Sequence, residues 1–231
     1  MKKYLGAVLS LVILSGCGQG PAGPQGVPGV AASAAPVDSN SADVADVLQN
    51  GAHGNAYRLG LGQTELSSGL TCSVVHVSGG QCLSNSASGS PGCVGQPLVT
   101  TTGTTYSYLY AGGFDQPNDS GGVTNLLPAA LQSLFVGNNY KIVCNGYLVI
   151  QQPGWYEFED ISDDGSIIVT DGGSLYNDGN HAVNTVPITQ SVYFDRDVHT
   201  FQVQYAQTGG GNFGLILNMN NQSIPNLNLY H

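Results

Sequence analysis

The stretch Pro153-Gly-Trp-Tyr-Glu-Phe158, followed by Ser162-Asp163-Asp164-Gly165 and Asp171-Gly172, decides the fold of this 231-residue chain. From Tyr156 to Glu159 aromatic residues alternate with glutamates, which is typical of a strand with one buried face. Asp171-Gly172 marks a hairpin turn, for which Asp-Gly favours type I′ geometry. The stretch therefore predicts antiparallel strands joined by tight turns.

Similar patterns extend in both directions from this stretch. In Phe201-Gln-Val-Gln-Tyr205 every second residue is apolar, as a half-buried antiparallel strand requires. Leu126 to Phe135 is the one segment with a helical pattern, and Pro128 suits a first helical turn. The predicted strands span residues 71–77, 97–110, 139–150, 155–160, 166–171, 186–194, 198–206 and 213–219. We expect an all-β fold, an antiparallel β-sandwich over residues 97–231, with the loop-rich segment 56–96 packed on it.

The N-terminus resembles a bacterial lipoprotein signal peptide. Lys2 and Lys3 precede a short apolar run that ends in Leu14-Ser-Gly-Cys17, which resembles a lipobox. The resemblance implies that residues 1–16 are removed and that Cys17 carries lipid; the alternative is an ordinary secretory signal with a chance cysteine. Gly18 then favours the outer membrane over inner-membrane retention.

Residues 17–55 are expected to form a flexible tether behind the lipid. Gly20 to Gly29 has a collagen-like glycine at every third position, but so few triplets predict a proline-stiffened spacer and not a triple helix. The segment that follows is rich in Ala, Ser, Asp and Asn. The predicted result is a sandwich displayed from the cell envelope.

The charge of the chain excludes one class of partner. The formal net charge is −10, and loss of Lys2 and Lys3 with the signal peptide leaves 3 − 15 = −12. Such a chain has no basic surface for phosphates, so we expect no nucleic-acid binding. Attachment to an anionic membrane must then come from the lipid.

Four cysteines remain once Cys17 is set aside: Cys72, Cys82, Cys93 and Cys144. An even number in an exported protein predicts two disulfides, and the sequence leaves the three connectivities open. Zinc binding is the competing interpretation, although no CxxC spacing supports it.

The order of motifs resembles the PA14 family of β-sandwich domains over about residues 97–220. The quoted strand and S-D-D-G turn are followed by Val198 to Tyr205, which matches a late family strand. Gly209 to Phe213 then matches a glycine-rich loop. The chain departs from the family where Asp197 or Val198 occupies a usual glycine position. The resemblance implies a PA14-like sandwich.

In carbohydrate-binding PA14 domains, the paired aspartates are joined by a cis peptide and bind Ca²⁺, which coordinates sugar hydroxyls. The resemblance therefore implies that Asp163 and Asp164 are Ca²⁺ ligands and that Asn212 adds a late-loop ligand. Asp160 lies nearby in sequence and is expected to add negative potential. Trp155 is a candidate for stacking on a sugar. The alternative is that S-D-D-G is only a structural turn.

Catalysis is not expected. Glu157 and Glu159 occupy alternate positions of a strand, which favours a solvated face over a glycosidase pair. The five histidines are scattered and none belongs to a catalytic motif. We expect an exported, lipid-anchored protein that binds a glycan with Ca²⁺ and is not an enzyme. The alternative is a structural or protein-binding envelope adhesin.

Overall fold

The computed structural model describes residues 66–84, 91–112, 114–119, 125–135, 139–182, 186–208, 213–220, 222–223 and 229–231. The expectations for the signal peptide (1–16), Cys17, the tether (17–55) and Asn212 fall outside these residues. They stay predictions.

Strands dominate the described residues. The elements are β1 (Leu70–Ser78), β2 (Thr100–Tyr110), β3 (Asp115–Asp119), α1 (Ala129–Phe135), β4 (Tyr140–Val149), β5 (Gly154–Asp163), β6 (Gly165–Thr170), β7 (Ser174–Asn177), β8 (Ile188–Phe194), β9 (Val198–Gln207), β10 (Phe213–Met219), β11 (Gln222–Ser223) and β12 (Leu229–Tyr230). A single 3-10 turn at Pro91–Cys93 lies between β1 and β2.

The strands form two antiparallel sheets, which confirms the predicted all-β class. The larger sheet has the order β2-β1-β4-β9-β6-β7, with β12 added to β4. The smaller sheet has the order β11-β10-β5-β8, with β3 added to β10. Consecutive strands β5 and β6 belong to different sheets, so the chain crosses between the sheets at the S-D-D-G segment.

The core lies between the inner faces of these sheets. Phe201, Val203 and Tyr205 of β9 are buried at every second position, as their alternation predicts. Leu215 and Leu217 of β10, in the smaller sheet, are buried on the opposite side of the core. Burial of each large apolar side chain contributes about 1.5–3 kcal/mol, so this contact supplies much of the stability.

The larger sheet begins before residue 97. The expected strand at 71–77 forms as β1, but it is not part of a segment packed on the outside. It pairs with β2 on one side and with β4 on the other, and Cys72 stands opposite Cys144. Its alternating apolar residues are therefore part of the sandwich core.

The cysteines form two disulfides, as predicted. Cys72 is bonded to Cys144 across β1 and β4, and Cys82 is bonded to Cys93. All four thiols are consumed, so the zinc alternative is wrong. The second disulfide closes the loop that precedes β2.

Two elements differ from the expected bounds. The helix begins at Ala129, not Leu126, because Leu126 and Leu127 are buried in the core and the Pro128 carbonyl accepts the first helical bond. Strand β3 was not predicted, since its sequence Asp-Gln-Pro-Asn-Asp has no apolar alternation. Among the described residues, no helix is long and apolar enough to cross a membrane.

The hairpin between β6 and β7 does not have the expected type I′ geometry. That turn needs positive φ at both central residues, and neither Asp171 nor Gly172 has it. Instead Thr170 Oγ1 accepts hydrogen bonds from the amides of Gly172 and Gly173, at 3.2 and 3.0 Å. A Cβ at Gly172 would lie 2.8 Å from Val192 Cγ1, so a glycine permits close packing of β8.

Candidate metal and ligand site

Asp163 and Asp164 lie where the chain passes from one sheet to the other. Asp163 is the last residue of β5 and Gly165 is the first of β6, so Asp164 alone connects the strands. The peptide bond between the aspartates is cis, as the family resemblance implies. The two residues are only 7% and 3% exposed. The crossover thus holds two adjacent carboxylates largely out of water.

Gly165 has a packing role in this segment. A Cβ at Gly165 would lie 2.7 Å from the backbone nitrogen of Gly179. The neighbouring Asp178 carboxylate accepts hydrogen bonds from the amides of Leu83 and Ser84, both at 2.8 Å. The glycine of S-D-D-G therefore lets the crossover pack against a segment that is itself tied to the disulfide-closed loop.

Thr208 fixes the Asp164 carboxylate. Asp164 Oδ2 accepts hydrogen bonds from the Thr208 amide at 2.7 Å and from Thr208 Oγ1 at 3.2 Å. Thr208 directly follows β9, while Gly214 near the start of β10 pairs with Asp163. Both flanks of the glycine-rich segment 209–212 therefore lie at the aspartate pair. Asn212 belongs to that segment, which the structure does not describe.

Tyr205 contacts the aspartate pair from the buried side. Its hydroxyl donates to the backbone carbonyl of Asp163 and lies 2.7 Å from Gln207 Oε1. Burial raises the pKa of Tyr205 well above its usual value, and the charges of Tyr140, Asp164 and Asp163 raise it further. The hydroxyl therefore stays protonated, and the two carboxylates create a negative potential around it.

Asp160 lies in the interior and not at the surface of the site. It continues the buried face of β5 after Phe158 and is fully buried. Ser166 Oγ donates to Asp160 Oδ2, and Asn177 Nδ2 donates to Ser162 Oγ at 2.8 Å. Burial raises the pKa of Asp160 to about 7, although hydrogen bonds from Ser166 and Asn177 oppose the rise. The predicted fixed negative charge is thus only partly present at neutral pH.

This buried carboxyl predicts a pH dependence of stability. Because the pKa of Asp160 is about 7 in the folded state against 3.8 ordinarily, folding takes up a proton between about pH 4 and 7. Asp160 alone should therefore make the protein about 2–3 kcal/mol more stable at pH 5 than at pH 8, at 1.36 kcal/mol per pKa unit. Urea unfolding of the wild type and of Asp160→Asn at both pH values measures this, since other ionisable groups cancel in the comparison. An equal pH dependence in the two proteins would contradict the assignment.

Trp155 does not join the aspartate pair. It lies at the start of β5, eight residues before Asp163, which corresponds to about 27 Å along an extended strand. Its side chain is 60% exposed, so it is not packed between strands. The structure thus separates two candidates that the sequence placed in one ligand site.

The glutamates of β5 lie on its outer face, as expected. Glu157 is exposed, and Glu159 Oε2 accepts a hydrogen bond from Asn218 Nδ2 of β10 at 3.0 Å. This is the solvated face that the alternation predicts.

His199 and Asp171 form a contact that the sequence did not reveal. His199 Nδ1 lies 3.0 Å from Asp171 Oδ1, and Nε2 lies 3.0 Å from the Asp195 carbonyl oxygen. Burial alone would lower the pKa of His199, but these two hydrogen bonds and the charges of Asp171 and Asp197 raise it overall. Both ring nitrogens face oxygen acceptors, so this histidine holds the β6–β7 hairpin in place and has no nitrogen left for a general base.

Comparison with known proteins gives likenesses to solved structures only. No family model and no curated protein matches this chain. The PA14 domain of the MpAFP antifreeze protein is similar at 18% identity, over 72% of this chain and 92% of that domain, with a TM-score of 0.48. The PA14 sugar-binding domain of an RTX adhesin is similar at 19% identity, over 71% and 98%, with a TM-score of 0.47. The epithelial adhesin 6 A domain of Candida glabrata, in complex with Galb1-3GlcNAc, is similar at 12% identity, over 72% and 86%, with a TM-score of 0.43.

Proposed function

We propose that this protein is a non-catalytic, glycan-binding lipoprotein of the bacterial cell envelope that holds Ca²⁺ at Asp163 and Asp164. The observation that carries the proposal is the placement of two adjacent, buried carboxylates at the crossover from β5 to β6. The flanks of the glycine-rich segment 209–212 lie beside them. The pair would supply anionic oxygen ligands, and in this proposal the segment between the two flanks contributes further ligands and sets specificity.

The donor set fits calcium. Ca²⁺ takes six to eight oxygen ligands, with carboxylates and carbonyls preferred. Asp163 and Asp164 would supply the carboxylates, and the Asn212 amide would supply a further oxygen, as the family resemblance implies. Among the described residues, the one cluster of three histidine, cysteine or acidic donors is Cys82, Cys93 and Asp178, whose sulfurs are in a disulfide. When bound, the ion would offer open positions to a pair of sugar hydroxyls.

The surroundings of the pair favour a bound cation. The negative charges of both carboxylates, which also raise the pKa of the nearby Tyr205, would attract a divalent cation. The two hydrogen bonds from Thr208 hold one oxygen of Asp164 in place. A preformed, negatively charged site loses little freedom when it binds a divalent ion.

The N-terminal motif supports display at the cell surface. The lipobox-like Leu14 to Cys17 would place lipid on Cys17, and residues 17–55 would separate the sandwich from the outer membrane. A lipid anchor and a tether suit a protein that contacts a glycan outside its own membrane.

A glycan array with and without EDTA tests this function. We expect at least one glycan to bind only in calcium, with binding that EDTA abolishes and that is lost in Asp163→Ala/Asp164→Ala. Glu159→Gln/Asp195→Asn, which removes two acids outside the crossover, serves as a charge-matched control and should bind like the wild type. The proposal would be overturned if no glycan required calcium for binding, or if calcium-dependent binding persisted in the aspartate variant. Capture of a surface protein irrespective of calcium, with no glycan bound, would instead support a protein-binding adhesin.

A further inference from the structure

An exposed aromatic pair lies at the end of β5 that is remote from the aspartates. Trp155 and Tyr193 stand opposite each other in the register of β5 and β8. Their ring centroids are 5.6 Å apart and their planes meet at 71°. Trp155 is 60% exposed and Tyr193 is 48% exposed. Two large rings are therefore held next to each other on the outer face of the smaller sheet.

The exposure of these rings is not explained by the core. On the inner face of the same strands, Phe158 and Phe194 are buried and pack edge to face. The core at this end of the sheet is thus filled without Trp155, which is the only tryptophan in the chain. Exposed aromatic surface costs about 25 cal/mol per Å² relative to burial, and two adjacent exposed rings offer a contiguous apolar surface on which a ligand can pack.

The side chains around the pair indicate the chemistry of its ligand. The next outward-facing position along the two strands carries Glu157 opposite Ser191, and both are exposed. A carboxylate and a hydroxyl beside two rings offer hydrogen-bond partners at the edge of an apolar surface. A sugar ring matches this pattern, because it presents C–H groups on one face and hydroxyls around its edge.

The negative charge of this face further limits the class of ligand. Glu157 and Glu159 lie on this face, and the chain has a formal net charge of −10. An anionic ligand, such as a nucleotide whose base could stack on the rings, would be repelled. A neutral sugar would not.

We propose that Trp155 and Tyr193, with Glu157 and Ser191 at their edge, form a second site that binds a neutral sugar ring without calcium. The site lies about 27 Å along β5 from the aspartates, too far for one monosaccharide to contact both. The second site would bind the sugar by stacking and hydrogen bonds, whereas the crossover would bind it through a metal ion. The site does not depend on the proposed calcium site.

The single tryptophan gives a direct readout of this site. Neutral gluco-, manno- and galacto-oligosaccharides of six units are titrated in EDTA, and the fluorescence of Trp155 is followed. We expect a saturable change with at least one of them, unaltered in Asp163→Asn/Asp164→Asn. Calorimetry with that oligosaccharide should show affinity at least about tenfold weaker in Trp155→Ala and in Tyr193→Ala, which corresponds to 1.4 kcal/mol. Leu109→Ala, which truncates an equally exposed apolar side chain on β2, should bind like the wild type.

Three results would overturn the proposal. The first is no fluorescence change with any of these oligosaccharides at millimolar concentration. The second is a change that appears only with calcium and disappears in the aspartate variant, which would place all sugar binding at the crossover. The third is self-association in sedimentation velocity that Trp155→Ala removes, which would make the patch an interface between copies of the chain. If glycans bind the array only in calcium and the Trp155 fluorescence does not change in EDTA, the proposed calcium site is retained and only the second site is ruled out.

Discussion

Calcium at a hundredfold excess over its Kd is expected to raise the free energy of unfolding of the wild type by about 2.7 kcal/mol. The same calcium should leave Asp163→Asn/Asp164→Asn unchanged, because amide oxygens without a negative charge bind Ca²⁺ far more weakly than carboxylates. The ion binds the folded crossover, whereas the unfolded chain has no preformed site. Urea unfolding in calcium and in EDTA measures both effects.

The same experiment contains its own control for damage to the fold. In EDTA the variant should be at least as stable as the wild type, because two adjacent buried carboxylates repel each other and are poorly solvated. Its asparagine oxygens can still accept the hydrogen bonds that Thr208 donates to Asp164. An equal calcium response in the wild type and the variant would place the ion elsewhere.

Removal of the disulfide between Cys72 and Cys144 is expected to have the largest effect on stability. The bond links residues 72 positions apart, and loop-closure entropy for such a length gives about 4.4 kcal/mol. It also joins β1 to β4 in the middle of the larger sheet. Cys72→Ala/Cys144→Ala should therefore lower the free energy of unfolding by about that amount, as measured in urea.

The other disulfide provides a matched comparison. Cys82 and Cys93 are equally buried but only 11 positions apart, for which the same relation gives about 2.7 kcal/mol. Alanine at both pairs removes similar side-chain volume, so the difference of about 1.7 kcal/mol isolates the loop length. Equal losses for the two pairs would show that loop closure does not set their contributions.

The strands with clear alternation were predictable, and those without it were not. Phe201 to Tyr205 alternates apolar and polar residues and forms the centre of β9 as expected. The strand β3 contains Pro117 and no apolar alternation, and it forms by pairing with Phe213, Leu215 and Ile216 of β10. Pairing with a neighbour far along the chain is a tertiary effect that a local pattern does not contain.

The candidate site was also predictable only where a local motif encodes it. The motif Ser162 to Gly165 identified the aspartate pair, but it gave no hint of Thr208, which lies 44 residues after Asp164. The burial of Asp160 could have been predicted from the sequence, because Asp160 lies two residues after the core-directed Phe158 on the same face of the strand. The His199–Asp171 contact spans 28 residues, and only the assembled hairpin brings the two together.

A structure determined from crystals grown in calcium chloride tests most directly whether Asp163 and Asp164 bind Ca²⁺. We predict one Ca²⁺ bound by the carboxylates of both Asp163 and Asp164, identified by its anomalous signal and by oxygen distances of about 2.3–2.6 Å. Water alone at the crossover in saturating calcium, or an ion bound only at another position, would contradict it.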